Sequence, residues 1–245
     1  MRCELAHLAR EPIDVERAAA QHEAYEDALA RHGCIVRRLP DEPDYPDSVF
    51  VEDTAVVLDE LAVITRPGAD SRQGETISVA AALGEHRRLE CIRAPGTLDG
   101  GDVLRVGQRV YVGLSGRTNA DGARQLAALL APHGYQVVGI EVRGCLHLKS
   151  AVTAVADDTL LINPRWVDVS HFRGFRRIDV HLDEPFAANV LRVGGTLVCA
   201  VATPRTRERL EATGFVVESV DVSELAKAEA GVTCCSLILD VRPGS

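Results

Sequence analysis

Several things are missing from this sequence, and each absence removes a class of function. No apolar run reaches the about 18 residues needed to cross a bilayer, so neither a transmembrane helix nor a membrane partner is expected. Met1 to Arg10 carry no long apolar stretch behind a basic start, which predicts no secretory signal. The seven cysteines (Cys3, Cys34, Cys91, Cys145, Cys199, Cys234, Cys235) are odd in number, scattered and without zinc-ligand spacing. That pattern predicts free thiols in a reducing, cytoplasmic setting rather than a disulfide framework. An excess of positive charge is missing too. The 36 acidic against 27 basic residues leave a net charge of −9, which disfavours nucleic acid and is compatible with a small cationic substrate.

What is present is ordinary in bulk. The 245 residues are 46% hydrophobic and 26% charged, enough for a sizeable core, and the expected organisation is one catalytic domain over 1–245.

The informative feature is an internal repeat. Four segments share a pattern of apolar strand, tight polar turn and second apolar strand: Asp53–Pro67, Asp102–Gly116, Ala151–Pro164 and Asn189–Pro204. Their turns at Asp59-Glu60, Gly107-Gln108, Asp157-Asp158 and Gly194-Gly195 are short hairpin signals. Between them lie helical patterns at Asp14–His32, Ser71–Leu83, Asn119 to about Pro132 and Thr206–Thr213. A further strand is expected after each helix, at Cys34–Leu39, Leu89–Arg93, Gln136–Val142 and Phe215–Val220, with another at Arg177–Val180 in the fourth unit, where the helix is least clear. A fifth unit places its first hairpin strand at Cys234–Val241, and residues 2–8 are the candidate for the strand that closes the ring. The fold class predicted is α/β, a five-fold pseudosymmetric propeller of helix, strand and hairpin units. Equivalent positions in such a ring converge on one central cavity.

Those positions carry chemistry. Asp47, Glu52 and Asp53 stand in PDSVFVED, Asp102 in LDGGDV, His147 in LHLKS and Cys234 in VTCCS. Each has a bland reading as well. Asp47 fits a solvated turn, His147 a hydrogen-bonded structural histidine, and Cys235 a small buried hydrophobe. Only one of Cys234 and Cys235 can face the cavity if they lie on a strand. A thiol, an imidazole and several carboxylates suit cysteine chemistry on a cation, and the planar guanidinium fork matches paired carboxylates. Nearby anions hold a thiol protonated, so binding of the cation is expected to help form the nucleophile. An amino-acid substrate also needs cations for its α-carboxylate. Arg72 and Arg117, each at a loop–helix junction, are the candidates, with an exposed surface arginine as the alternative reading.

QHEAY, PDSVFVEDTAV, ITRPGADSR, TLDGGDVL, YVGLSGRTN, LHLKS and VTCCS occur in that order across nearly the whole chain. With these motifs the sequence resembles the dimethylarginine dimethylaminohydrolase family, of the guanidino-group-modifying superfamily with its five-bladed α/β propeller. The resemblance implies Cys234 as the nucleophile and His147 as the acid and base. It implies Asp102 and Asp53 as guanidinium-binding carboxylates with Glu52 beside them, Asp102 counting with Cys234 and His147 in the catalytic set. Asp47 resembles the α-amino ligand, Arg72 and Arg117 the α-carboxylate clamps, and Leu5 a residue of a lid loop. The implied chemistry is hydrolysis of Nω-methylated arginine to citrulline through a thiouronium on Cys234, without metal or organic cofactor and with a homodimer as an available assembly. The family carries an N-terminal strand ahead of the lid loop, whereas this chain starts almost at the lid. An arginine deiminase, an amidinotransferase and a non-catalytic arginine-binding protein are the alternatives. A redox role for Cys234-Cys235 is disfavoured, because adjacent cysteines close only a strained ring.

Overall fold

The computed structural model describes residues 3–240. Local sequence chemistry accounts for most element boundaries. Asp14 accepts the Arg17 N–H and opens α1 (Val15–Arg31), which gives way at Gly33, where φ is +89°. Asn119 accepts the Gly122 N–H and opens α3 (Ala120–Leu130). Of the expected helix at Ser71–Leu83, the first part is a tighter 3-10 stretch, Asp70–Glu75, and α2 runs from Thr76 to Gly84. The expected helix at Thr206–Thr213 is α5 (Pro204–Ala212), and the fourth unit holds only a single turn, Val169–Phe172.

Four hairpins stand where the repeat puts them. They are β1 (Ala55–Val57) with β2 (Leu61–Ile64), β4 (Val103–Val106) with β5 (Arg109–Leu114), β7 (Val152–Ala156) with β8 (Thr159–Ile162), and β10 (Leu191–Val193) with β11 (Thr196–Ala200). Each gains a third strand in parallel on the second: β3 (Arg88–Cys91), β6 (Gln136–Glu141), β9 (Arg176–Asp179) and β12 (Val216–Val220). The result is four three-stranded sheets of one topology, the second hairpin strand always central. Its burial shows why. Every residue of β2 and of β8 is buried, as a strand covered on both faces must be.

The sheets pack in chain order. Leu61 and Val63 of the first share a core with Val110 and Val112 of the second. Tyr111 and Ile140 of the second meet Leu160 and Ile162 of the third, and Leu161 of the third meets Leu197 of the fourth. Val198 and Val220 of the fourth pack with α1, Phe50 and Cys235. Leu237 and Leu239 then lie against the first sheet, which completes the circuit.

The fifth unit departs from the expectation. Neither Cys34–Leu39 nor the described part of the expected strand at Cys234–Val241 forms a strand, and residues 3–8 do not close the ring as one; Arg2 and Val241 lie outside the described residues. The other four sheets supply the reason. A first and a third strand are held together only through a middle strand, and the segments at 34–39 and 236–240 have none between them. A cavity of about 1230 Å³ opens beside them, bordered by Cys3, Val36, Leu39, Val79 and Leu237. Ile35 is left 98% exposed and Ile238 41%. Among the described residues the circuit is therefore closed by side-chain packing, not by a fifth sheet. Among the described residues no helix is long and apolar enough to cross a membrane.

This difference has a measurable consequence. Leu61→Ala, at a fully buried central position, should cost about 2–5 kcal/mol in chemical denaturation. Ile35→Ser should change stability by no more than about 0.5 kcal/mol; a loss as large as that at Leu61 would mean that Ile35 is covered.

Candidate active site

Short helical turns lead into the first hairpin strands and bring polar groups to the centre. They are Val51–Thr54 before β1, Gly100–Asp102 before β4 and α4 (Leu148–Ala151) before β7. In the fifth unit a turn at 232–235 does the same. Hydrogen bonds tie these turns across units. Asp53 Oδ1 accepts the Gly101 N–H at 3.0 Å, and Asp102 Oδ1 accepts the Leu148 N–H at 2.9 Å. Glu52 Oε1 takes Lys149 Nζ at 2.6 Å, and its Oε2 takes the Thr233 hydroxyl at 2.8 Å. The Glu52 N–H donates to the Cys234 carbonyl at 3.1 Å. From the fourth unit the Asn189 amide bonds the Thr233 hydroxyl and N–H, each at 3.0 Å.

His147 is buried among carboxylates. Its Nε2 lies 3.0 Å from Asp99 Oδ2 and its Nδ1 3.8 Å from Asp53 Oδ1. Burial alone would lower its pKa. The Asp53 charge, the Asp99 hydrogen bond and the Asp102 charge outweigh burial and push it up to about 10, so it is an imidazolium at neutral pH. Burial likewise opposes the charge of Asp53, but His147, Arg72 and the Gly101 N–H hold that carboxyl at about 2. Glycine is required here. A Cβ on Gly101 would sit 2.7 Å from His147 Nδ1 and 2.8 Å from Asp53 Oδ1.

The carboxylate that orients His147 is thus Asp99 and not Asp102. Asp102, placed in the catalytic set from sequence, accepts the Ser115 hydroxyl at 2.6 Å and the Leu148 N–H. Both its oxygens are occupied by structural donors, and burial raises its pKa to about 6. Asp99 stands three residues earlier in the same LDGGD motif, fully buried. The motif alone does not say which acid faces the ring, and the tight turn from the Asp102 N–H to the Asp99 carbonyl decides it.

The remaining expected residues divide by what already holds them. Arg72, expected as an α-carboxylate clamp, is 4% exposed and bonded to Asp53 at 2.6 Å, to Glu75 and to the Asp47 and Phe50 carbonyls. A buried guanidinium must be paired, and this one is, so it positions Asp53 instead of waiting for an anion. Among the described residues the half-buried Arg117 guanidinium makes no hydrogen bond or ion pair, which leaves it available, and its charge acts on Asp47. Asp47 is 3% exposed and accepts the Glu4 N–H at 2.9 Å; burial raises its pKa. Leu5 and Cys234 both pack, half-buried, against the cluster that contains Cys235. Glu52 has both oxygens engaged as a strut between three units. Lys149, Thr233 and Asn189 were not expected at the centre. Asn189 had a signal, because it opens the fourth repeat segment where Asp53 and Asp102 open the first two.

Cys234 lies on the turn with its Sγ accepting the Gly231 N–H at 3.3 Å. Burial, then the charges of Glu52 and Asp53, push its thiol up to about 12 against the pull of the Gly231 N–H and Lys149. The free protein therefore holds the Cys234 thiol protonated at neutral pH. Ligand atoms of Asp53, Asp99 and His147 lie within 4.8 Å of one another, close enough for a metal. A metal takes histidine deprotonated, which the raised His147 pKa opposes.

The family model described as arginine deiminase matches residues 43–186. An N(G),N(G)-dimethylarginine dimethylaminohydrolase from Streptomyces coelicolor is 43% identical over 240 residues, covering 96% of this chain and 91% of the relative. A solved structure of DDAH from Pseudomonas aeruginosa, a mutant complexed with citrulline, superposes with a TM-score of 0.89 at 36% identity, covering 94% of this chain and 91% of that one. The N-terminal domain of ArgZ, a cyanobacterial arginine dihydrolase, superposes with a TM-score of 0.84 at 23% identity, covering 92% and 87%, and shows likeness of fold.

In an NMR titration the His147 imidazole should stay protonated to near pH 10, and Asp99→Asn should lower that midpoint by about one unit or more. The linked stability follows the same sign. It is fully present below about pH 6.5, the ordinary histidine value, and is lost as the pH rises through 10. A wild-type midpoint near 6.5 would remove the imidazolium from the account.

Proposed function

The chain belongs to the dimethylarginine dimethylaminohydrolase family, and on that premise we propose that it hydrolyses Nω,Nω-dimethyl-L-arginine and Nω-methyl-L-arginine to L-citrulline, releasing dimethylamine or methylamine. The observation that carries the reading is the buried imidazolium of His147, held by Asp99 and Asp53 in the same hub as the Cys234 thiol.

The hub is built for a cation. Asp47, Glu52, Asp53, Asp99 and Asp102 are all buried there. An arriving guanidinium about 4 Å from the thiol contributes about 4 kcal/mol at an effective dielectric of about 20. That equals about three pKa units, enough to bring Cys234 from about 12 toward the ordinary thiol range. Cys234 gives its proton to solvent as the cation binds. The thiolate attacks the guanidinium carbon, forming the S–C bond. His147 passes its proton to the substituted nitrogen, the C–N bond breaks, and the amine departs, leaving a thiouronium on Cys234. Neutral His147 then takes a proton from water as the oxygen adds to the same carbon. Collapse of that adduct expels the Cys234 thiolate, the hydroxyl proton passes to solvent, and citrulline is left. Asp53, held by Arg72 and the Gly101 N–H, is the carboxylate assigned to the guanidinium, Asp99 orients His147, and Asp47 and Arg117 take the amino and carboxylate ends of the substrate. Asp102, Glu52 and Arg72 position these groups.

Purified protein given Nω,Nω-dimethyl-L-arginine should release citrulline and dimethylamine in equal amounts, and Cys234→Ser should lower kcat at least about a thousandfold. Comparable release of ammonia from free arginine would favour a deiminase instead, and binding of methylarginine without citrulline would favour a non-catalytic receptor.

A further inference from the structure

Five residues before Cys234 the chain takes an uncommon conformation. Among the described residues Glu229 alone, without being glycine, has a left-handed backbone, with φ at +61°. A side chain with a Cβ is disfavoured there unless its surroundings hold it. What holds it is the N-terminal segment. Glu229 Oε2 accepts the Ala6 N–H at 2.8 Å, and Oε1 accepts those of His7 and Leu8 at 2.5 Å each. Three consecutive amides converging on one carboxylate form an anion nest. These bonds join residues more than 220 positions apart in sequence.

The same segment is fastened at its other end to the candidate site. The Glu4 N–H donates to Asp47 Oδ2 at 2.9 Å, and the Glu4 carboxylate accepts the Ser71 hydroxyl at 2.7 Å. Leu5, between the two anchors, packs against the cluster that Cys234 also touches. Residues 3–8 thus form a strap with one end on Asp47 and the other on Glu229. Glu229 sits two residues before Gly231, whose N–H donates to Cys234 Sγ at 3.3 Å. One loop therefore carries both the nucleophile's hydrogen-bond donor and the anchor of the strap.

We propose that Glu229 is a positioning residue of the site: its carboxylate pins the amides of residues 6–8 and so holds Leu5 and Glu4 over the entrance to Cys234 and Asp47. The proposal rests on the functional reading of Cys234 and Asp47 given above. It extends that reading by making closure of the strap depend on one side chain in the nucleophile's own loop. Three charge-assisted hydrogen bonds are removed together when the carboxylate is lost, whereas an amide at this position keeps one accepting oxygen.

The test uses the full chain with Glu229→Ala, Glu229→Gln and Glu229→Gly, the last removing the carboxylate while relieving the left-handed backbone. Hydrogen exchange should speed up at the amides of residues 6–8 at least about tenfold in the Ala and Gly variants, the weight of one charge-assisted bond. Alkylation of Cys234 by N-ethylmaleimide at fixed pH should rise in parallel. KM for dimethylarginine should rise at least about tenfold with a smaller change in kcat, Gln should recover part of it, and the Gly variant should keep the wild-type melting temperature. Wild-type exchange and KM in both the Ala and Gly variants would overturn the proposal. If the wild type turns over no methylated arginine, the functional reading falls, and the exchange and alkylation rates still decide the role of Glu229.

Discussion

A carboxylate that is 4% exposed stays ionised only if its neighbours replace the water it has lost, and Asp53 receives that replacement from three directions. Arg72 comes from the loop after the first hairpin, the Gly101 N–H from the turn of the second unit, and the imidazolium of His147 from the third. Each donor then has needs of its own. Arg72 has a second carboxylate, Glu75, and His147 has Asp99. Satisfying one buried charge thereby fixes the relative placement of three repeat units. Removing a single partner would strand the others, a loss of about 3–5 kcal/mol for a buried pair.

The same requirement settles which groups remain for a ligand. Arg72 is consumed by Asp53 and Glu75, whereas the half-buried Arg117 guanidinium, whose charge acts on Asp47, has no protein partner among the described residues. Glu52 is consumed by Lys149 and Thr233, so it braces the turn that carries Cys234. Carboxylates still outnumber cations at the centre, and this imbalance has two opposed effects. It favours an incoming guanidinium, and it holds the Cys234 thiol protonated at about 12. On the proposed role of Cys234, a thiol kept protonated until the cation is bound is protected from alkylation and oxidation in the interval, because the thiolate is the reactive form.

Most of the architecture was legible because apolar alternation, turn chemistry and repetition agree within each unit. Gly107 and Gly194 mark hairpins whose first turn residue has φ of +58° in both cases, Asn119 caps the helix it was expected to cap, and the helical pattern that begins at Asp14 is a helix capped by it. Cys34–Leu39 and Cys234–Val241 read as strands for the same local reason, yet local pattern cannot provide the middle partner on which a strand depends. The candidate site was legible in position and less so in role. Repeat alignment brought Glu52, Asp53, His147 and Cys234 to one place, but it gives no account of which donors each acid will meet. Arg72 looked available because its burial and its two carboxylate partners are tertiary facts. Lys149 was hidden within a motif already assigned to its neighbour, His147.

Asp99 and Asp102 show how two like residues in one motif come to different work. The glycines between them allow a single tight turn, since a Cβ on Gly100 would fall 1.9 Å from the Glu52 carbonyl oxygen. That turn sends the two carboxylates to two parts of the same neighbouring segment. Asp99 takes the His147 ring at Nε2, while Asp102 takes the backbone N–H of Leu148, the next residue. One acid therefore orients the imidazole, and the other holds the backbone from which the imidazole hangs. An acid–base group must hold its position to within fractions of an ångström while its charge changes. When His147 gives up its proton, the pull of Asp99 on the ring weakens, while the Asp102 bond to the Leu148 N–H still ties down the backbone beside it. In the acid–base role proposed for His147, the ring can pass through its neutral state and recover its proton without losing its place.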